Sequence, residues 1–195
     1  MPASAAQVKQ LREMTNIGMM KCKEALEATN GDLEKAVEYL RKQGLKTAEK
    51  RAGRETSEGV IASYIHSNGK IGVLVELKCE TDFVARSDDF RQLGRDLSKQ
   101  VAATRPIALS RDDVPADVIE RELDIYREQV KDKPPQAIEK IVEGKLGAFF
   151  QERCLLDQPF VKDPKTSVGD LIKSLIAKLG ENITVGRAVR LELGE

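Results

Sequence analysis

Few residues of this 195-residue chain have the type and spacing that catalysis or metal binding requires. The thiols are Cys22, Cys79 and Cys154, which lie far apart in the sequence, and His66 is the only histidine. A structural zinc site needs four nitrogen or sulfur ligands, and a Ser or Cys nucleophile needs a paired base. Neither pattern occurs, nor does a P-loop, a dinucleotide-binding glycine motif or a G-x-S-x-G sequence. The sequence therefore indicates a binding protein and not an enzyme, with no cofactor and no metal.

The segment CETDFVAR at residues 79–86 is the first candidate contact site, because it places Phe and Val beside Asp in a short connector. In one interpretation Phe83 and Val84 both pack beneath the next helix, while Asp82 supports the turn. In the other, Phe83 projects from the end of a sheet as an anchor for a partner protein. Aromatic anchors on rigid turns are typical of interface hot spots.

The segment NIGMM at residues 16–20 is the second candidate, because two adjacent methionines cannot both face one core. One interpretation buries one methionine and exposes the other. The alternative is an adaptable apolar contact surface, since methionine side chains repack easily.

Composition excludes several classes of partner. Lys plus Arg is 32 and Asp plus Glu is 32, and aromatic residues make up 4% of the chain. A balanced charge argues against a duplex nucleic acid partner or a polybasic membrane anchor, and few aromatics argue against base stacking. No stretch approaches the roughly 18 apolar residues of a membrane span, and the N-terminus has no signal-peptide pattern. We expect a cytoplasmic protein that binds neither nucleic acid nor membrane.

The N-terminal residues 1–44 predict three short helices. A capping box links Ser4 with Gln7, and Asp32 is a good N-cap for the third helix. Gly44 is placed where a left-handed residue would end that helix. Residues 45–58 are charged and predict a linker that is helical in part; an exposed extension of the helix is the alternative.

Residues 59–195 predict an α+β domain. Strands VIASYIH and IGVLVELKC flank Asn68-Gly69, a strong hairpin signal, and His66 would pack at the rim of the core face. Helical periodicity then predicts a helix from Ser87, a helical hairpin at about 115–152 and an amphipathic helix that Gly180 ends. Between the hairpin and that last helix, CLLDQPFVKDP predicts an irregular loop, because prolines disfavour regular structure. A closing strand follows, so the sheet is small, antiparallel and covered by helices.

Four segments of the chain resemble the elongation factor Ts family, the guanine-nucleotide exchange factors of elongation factor Tu. They are LREMTNIGMMKCKEALEATNGDLEKAVEYLRKQG, KCETDFVARSDDF, QPFVKDP and ITVGRAVRLELGE. The resemblance spans essentially the whole chain. It implies an N-terminal ubiquitin-associated-like module at 1–44, a linker at 45–58 and a core at 59–195.

The resemblance also implies a function and a set of contact residues. The family's turn that displaces magnesium from elongation factor Tu matches Thr81, Asp82, Phe83 and Val84. Contacts of the N-terminal module match Arg12, Met19, Met20 and Lys23, and a contact of the core matches Leu179 and Gly180. The chain carries one core, where long members carry a duplicated one, so the resemblance allows a homodimer. The alternative function is a ubiquitin-associated-like adaptor without exchange activity.

Overall fold

The structure of the chain is a computed structural model that describes residues 3–15 and 17–194. Asn16, the first residue of the predicted NIGMM contact segment, lies outside the described residues. The helices are α1 (Ala5–Thr15), α2 (Met19–Ala28), α3 (Leu33–Arg51), α4 (Asp82–Arg86), α5 (Asp88–Thr104), α6 (Ala116–Gln129), α7 (Pro135–Arg153) and α8 (Val168–Leu179). The strands are β1 (Glu58–Ile65), β2 (Ile71–Cys79), β3 (Pro159–Phe160), β4 (Asp163–Ser167) and β5 (Ile183–Glu192). The predicted α+β class is confirmed.

The chain forms two compact units. The first comprises Met1–Gly59, Lys78–Phe90 and Ile172–Thr184, and the second comprises Val60–Leu77, Arg91–Leu171 and Val185–Glu195. The division into a module at 1–44, a linker at 45–58 and a core at 59–195 stays a prediction.

The first unit contains the three N-terminal helices, of which α1 and α3 begin at the expected caps. Gln7 donates its backbone N–H to Ser4 Oγ at 3.2 Å, and Ser4 donates its N–H to Gln7 Oε1 at 3.1 Å. Lys35 donates its N–H to Asp32 Oδ1 at 3.0 Å. Short helices are marginal alone, so a shared apolar core stabilises these three. That core consists of Val8, Leu11, Cys22, Ala25, Leu26, Ala36 and Leu40.

The third helix does not end at Gly44, as the sequence predicted, but continues to Arg51. Gly44 is buried, and a Cβ atom added there would lie 3.1 Å from the Cβ of Ala177 in α8. The glycine therefore permits a close approach of two helices and does not terminate one. Ala48, one turn further along, is also buried and continues the same face.

A three-stranded sheet with the order β1-β2-β5 has two faces of different character. His66 donates its backbone N–H to Ile71 O at 2.9 Å, and Gly69 adopts φ 68°, which confirms the β1–β2 hairpin. Val73, Val75 and Leu77 of the inner face are buried. The opposite face exposes large apolar side chains on all three strands: Ile61, Ile65, Leu74, Val189 and Leu191.

In the second unit, α5 packs against the inner face of the sheet. A Cβ atom added to Gly94 would lie 2.9 Å from the Cβ of Ala62, so the helix comes as close as a glycine allows. The predicted helical hairpin is formed by α6 and α7, and Val114, Phe149 and Cys154 are buried beside it.

The segment predicted to be an irregular loop, residues 154–164, contains β3 and the beginning of β4; these strands form a short antiparallel pair in which Pro159 pairs with Ser167. Proline is tolerated here because a two-stranded sheet consists only of edges. The buried amide of Gln100 replaces missing ladder bonds: it donates to Pro159 O at 3.1 Å and accepts from Val161 N at 2.8 Å.

Within residues 3–15 and 17–194, no helix has both the length and the apolar character needed to cross a bilayer.

Candidate partner-binding site

The candidate turn at residues 81–84 forms the beginning of the short helix α4. Thr81 has extended backbone angles, φ −128° and ψ 155°, and its Oγ1 accepts a hydrogen bond from Val84 N at 3.4 Å. Val84 and Ala85 are buried, whereas Phe83 is 81% exposed. The interpretation that buried both Phe83 and Val84 was therefore wrong for Phe83. An aromatic side chain this exposed on a capped helical turn is available to a partner protein.

Asp82 lies beside Phe83 and is also exposed. Its carboxylate accepts a hydrogen bond from the Arg86 guanidinium, one helical turn away. Ion pairs between exposed side chains contribute little to stability, so Asp82 can exchange Arg86 for groups of a partner at small cost.

The turn is held by residues that the sequence did not single out. Glu181, directly after the glycine that ends α8, accepts hydrogen bonds from Thr81 N at 3.0 Å and from Thr81 Oγ1 at 2.6 Å. Glu80 Oε1 accepts a hydrogen bond from Asn182 N at 2.6 Å, and this bond, together with Arg54, holds the pKa of Glu80 below its usual range. No local sequence signal could reveal the bonds to Glu181 and Asn182, because 100 residues separate Thr81 from Glu181 and 102 separate Glu80 from Asn182.

Met19 and Met20 lie at the start of α2 and are 56% and 78% exposed. The interpretation that buries one of the two was wrong. The core of the three helices is completed by Cys22, Ala25 and Leu26, so α2 turns its first two residues outward. The result is a small apolar surface of flexible side chains.

The other N-terminal candidates and the end of α8 belong to the same compact unit as the turn. Arg12 is exposed, and Lys23 forms a long ion pair of 3.9 Å with Glu27. Leu179 is half-buried, and Gly180 adopts φ 82°, which a residue with a side chain rarely does. Every contact residue that the resemblance implied thus lies in the first unit.

Comparisons with known proteins agree on one family. The family model for elongation factor Ts matches residues 3–195. The elongation factor Ts of Fervidobacterium nodosum is 59% identical over 197 residues, which covers all of both chains. That of Thermotoga maritima is 59% identical over 96% of this chain and 94% of its own length. That of Thermodesulfovibrio yellowstonii is 56% identical over 100% of this chain and 98% of its own length.

The chain belongs to the elongation factor Ts family. Its role is therefore in the elongation stage of protein biosynthesis.

In this family member the three thiols, Cys22, Cys79 and Cys154, are all buried and form no disulfide. Burial raises the pKa of the Cys79 thiol to about 11, and Glu181 contributes to the same shift. A thiol with a raised pKa is a poor nucleophile. His66 Nδ1 lies 2.9 Å from the Tyr64 hydroxyl. Among the described residues, no group of three or more His, Cys, Asp or Glu side chains is arranged to hold a metal ion.

Proposed function

We propose that the chain is a guanine-nucleotide exchange factor that binds elongation factor Tu in its GDP form and promotes release of GDP. The observation that carries the proposal is the exposed Phe83 on the capped turn of α4, in the segment that matches the family's Thr-Asp-Phe-Val sequence. Membership of the elongation factor Ts family supports the same function.

In the proposed mechanism, residues 81–84 act on the magnesium site of the partner. Phe83 inserts between helices of the partner's nucleotide domain, and the Asp82 carboxylate disturbs the groups that hold the water shell of the magnesium ion. Magnesium neutralises the phosphate charge, so its displacement weakens nucleotide binding. The chain makes no bond to the nucleotide, catalyses no covalent step and uses no cofactor of its own.

The remaining contact residues anchor the factor on the partner. Met19 and Met20 supply apolar surface, and Arg12 and Lys23 supply positive charge at the same end of the three-helix module. Leu179 and Gly180 extend the contact from the end of α8. We assign this complex to the cytoplasm, with neither nucleic acid nor membrane as a direct partner.

Exchange follows from linkage between the two ligands of elongation factor Tu. If the factor binds the nucleotide-free form of elongation factor Tu more tightly than the GDP form, then the factor must weaken GDP binding by the same ratio. We expect the weaker GDP binding to appear as faster GDP dissociation, and abundant GTP later displaces the factor.

We also infer that two copies of the chain associate through the exposed face of the sheet. An apolar surface on three neighbouring strands is formed by Ile61, Ile65, Leu74, Val189 and Leu191. Contiguous exposed apolar surfaces of this kind are typical of protein–protein contacts. A second copy is the natural occupant, since this chain has one core where long family members have two. Sedimentation equilibrium should show a dimer, and Leu74→Lys should dissociate it; a wild-type monomer at high concentration would refute the inference.

Stopped-flow fluorescence tests the proposed exchange activity. A fluorescent GDP analogue bound to elongation factor Tu should dissociate much faster as wild-type factor is added, and the rate should saturate with factor concentration. Binding of elongation factor Tu without faster release would contradict the exchange function and favour an adaptor.

A further inference from the structure

The turn that carries Phe83 is too short to hold itself in place. The helix α4 has five residues, and helices of this length are unstable without tertiary contacts. Its cap is a long hydrogen bond of 3.4 Å from Val84 N to Thr81 Oγ1. The direction in which Phe83 points must therefore be fixed by contacts from another part of the unit.

Glu181 supplies that contact through both oxygens of its carboxylate. Oε2 accepts from the backbone N–H of Thr81 at 3.0 Å, and Oε1 accepts from the Thr81 hydroxyl at 2.6 Å. Two charge-assisted bonds to one residue fix its orientation as well as its position. The hydroxyl that caps α4 is thereby held in the direction that the cap requires.

A second set of bonds fixes Glu181 itself. Asn182 is buried; its N–H donates to Glu80 Oε1 at 2.6 Å, and its side-chain Nδ2 donates to Arg54 O at 2.8 Å. Gly180 adopts φ 82°, so the backbone changes direction at the end of α8 and brings Glu181 and Asn182 to these partners. The carboxylate of Glu181 thus extends from a well-held backbone.

We propose that Glu181 is a positioning residue that presents Phe83 to elongation factor Tu and joins the turn at 81–84 to the end of α8 as one contact surface. This inference rests on the proposed exchange function. Its physical basis is preorganisation: a partner that meets Phe83 already oriented does not have to order the turn on binding. Glu181 acts through Thr81 and need not touch the partner.

The variant Glu181→Gln tests the inference because it retains the size of the side chain but loses the charge and one of the two acceptors. The matched control is Glu55→Gln, which removes the same charge from an exposed position in the same unit. Circular dichroism and thermal unfolding establish that each variant folds. If Glu181→Gln unfolds easily, Glu181→Asp provides the second test, since it keeps the charge but is one methylene too short to span to Thr81.

The first readout needs no partner. In the free protein, hydrogen exchange of the Thr81 and Val84 amides should be faster in Glu181→Gln than in the wild type and unchanged in Glu55→Gln. Unchanged protection of both amides in Glu181→Gln would overturn the proposed positioning.

The second readout is GDP release from elongation factor Tu at a subsaturating concentration of factor. Glu181→Gln should slow the accelerated release by about tenfold, the size expected from losing a charge-assisted hydrogen bond. In a Phe83→Ala background the same change should have almost no further effect, because Glu181 acts through the orientation of Phe83. An equal additional loss in that background would overturn the proposal.

Failure of the proposed function is distinguishable from failure of this inference. If the wild-type chain does not accelerate GDP release, the exchange function is refuted and Glu181 has no such role, whatever the amide protection shows. If the wild type accelerates release and Glu181→Gln does so equally, only the positioning role is refuted.

Discussion

Replacing Phe83 with alanine should weaken binding to elongation factor Tu and leave the stability of the free chain nearly unchanged. In the free chain 81% of Phe83 is exposed, so truncation removes few internal contacts. Exposed substitutions usually change the free energy of unfolding by less than about 0.5 kcal/mol. The melting temperature of Phe83→Ala should therefore remain close to that of the wild type.

The loss in binding can be worked out from the same exposure. A phenylalanine side chain presents on the order of 200 Å². With 81% exposed, about 160 Å² can be buried by the partner, which corresponds to ~4 kcal/mol at about 25 cal/mol per Å². Ordering the side chain costs about 1 kcal/mol and coverage is incomplete, so about 2 to 3 kcal/mol remains. The Kd for elongation factor Tu should rise between about 30-fold and 150-fold.

Isothermal titration calorimetry with nucleotide-free elongation factor Tu measures this change directly. Ile125→Ala is the matched control, because Ile125 is an exposed apolar side chain on α6, in the other compact unit. A Phe83→Ala protein that binds within about threefold of the wild type, less than about 0.7 kcal/mol, would refute the assignment of Phe83 as an anchor.

Two further predictions concern glycine packing and pH. Gly144→Ala, in α7 with open space around it, should stabilise the chain by about 0.5 to 1 kcal/mol, whereas Gly94→Ala should destabilise it by about 1 kcal/mol or more because of the 2.9 Å approach to Ala62. Urea unfolding of both variants tests this, and equal effects would show that α5 can move away from the sheet. The pKa of Glu80 is lowered on folding, so the stability that its carboxylate contributes is present above its ordinary pKa and is lost as the pH falls below about 4.5. Thermal unfolding of Glu80→Gln should therefore depend less on pH than that of the wild type between about pH 5 and 3; identical pH profiles would contradict this.

The parts of the fold that the sequence predicted well are those with strong local signals. Asn68-Gly69 between alternating apolar strands predicted the hairpin, and Gly180 at the end of an apolar stripe predicted the end of α8. Asp32 predicted the start of α3. In each case the favourable conformation depends on neighbouring residues, so the pattern is visible in one stretch of sequence.

The wrong predictions share a different cause. Gly44 was expected to end a helix, but its role is to admit Ala177 of a helix more than a hundred residues later. Pro159 was expected to exclude a strand, but the buried amide of Gln100 satisfies the backbone there. Tertiary contacts override local preference at such positions, and a single sequence does not display them.

The candidate site also has one part that local sequence signals predict and another that depends on tertiary contacts. The adjacent Phe83 and Val84 indicated a contact site but not which side chain is exposed, because that depends on the direction of a five-residue helix. Glu181, which holds Thr81, carries no sequence pattern of its own. The resemblance to the family segments led to the candidate site, and the structure added Glu181 and Asn182, which hold the turn at residues 81–84.

Two affinities test whether the chain promotes exchange by preferring the nucleotide-free form of elongation factor Tu. The Kd of the wild-type chain should be measured for elongation factor Tu without nucleotide and for the magnesium–GDP form. Binding to the nucleotide-free form should be much tighter, by the same factor by which the chain weakens GDP binding. Equal affinity for the two forms would contradict it, because a ligand that binds two states equally cannot shift the equilibrium between them.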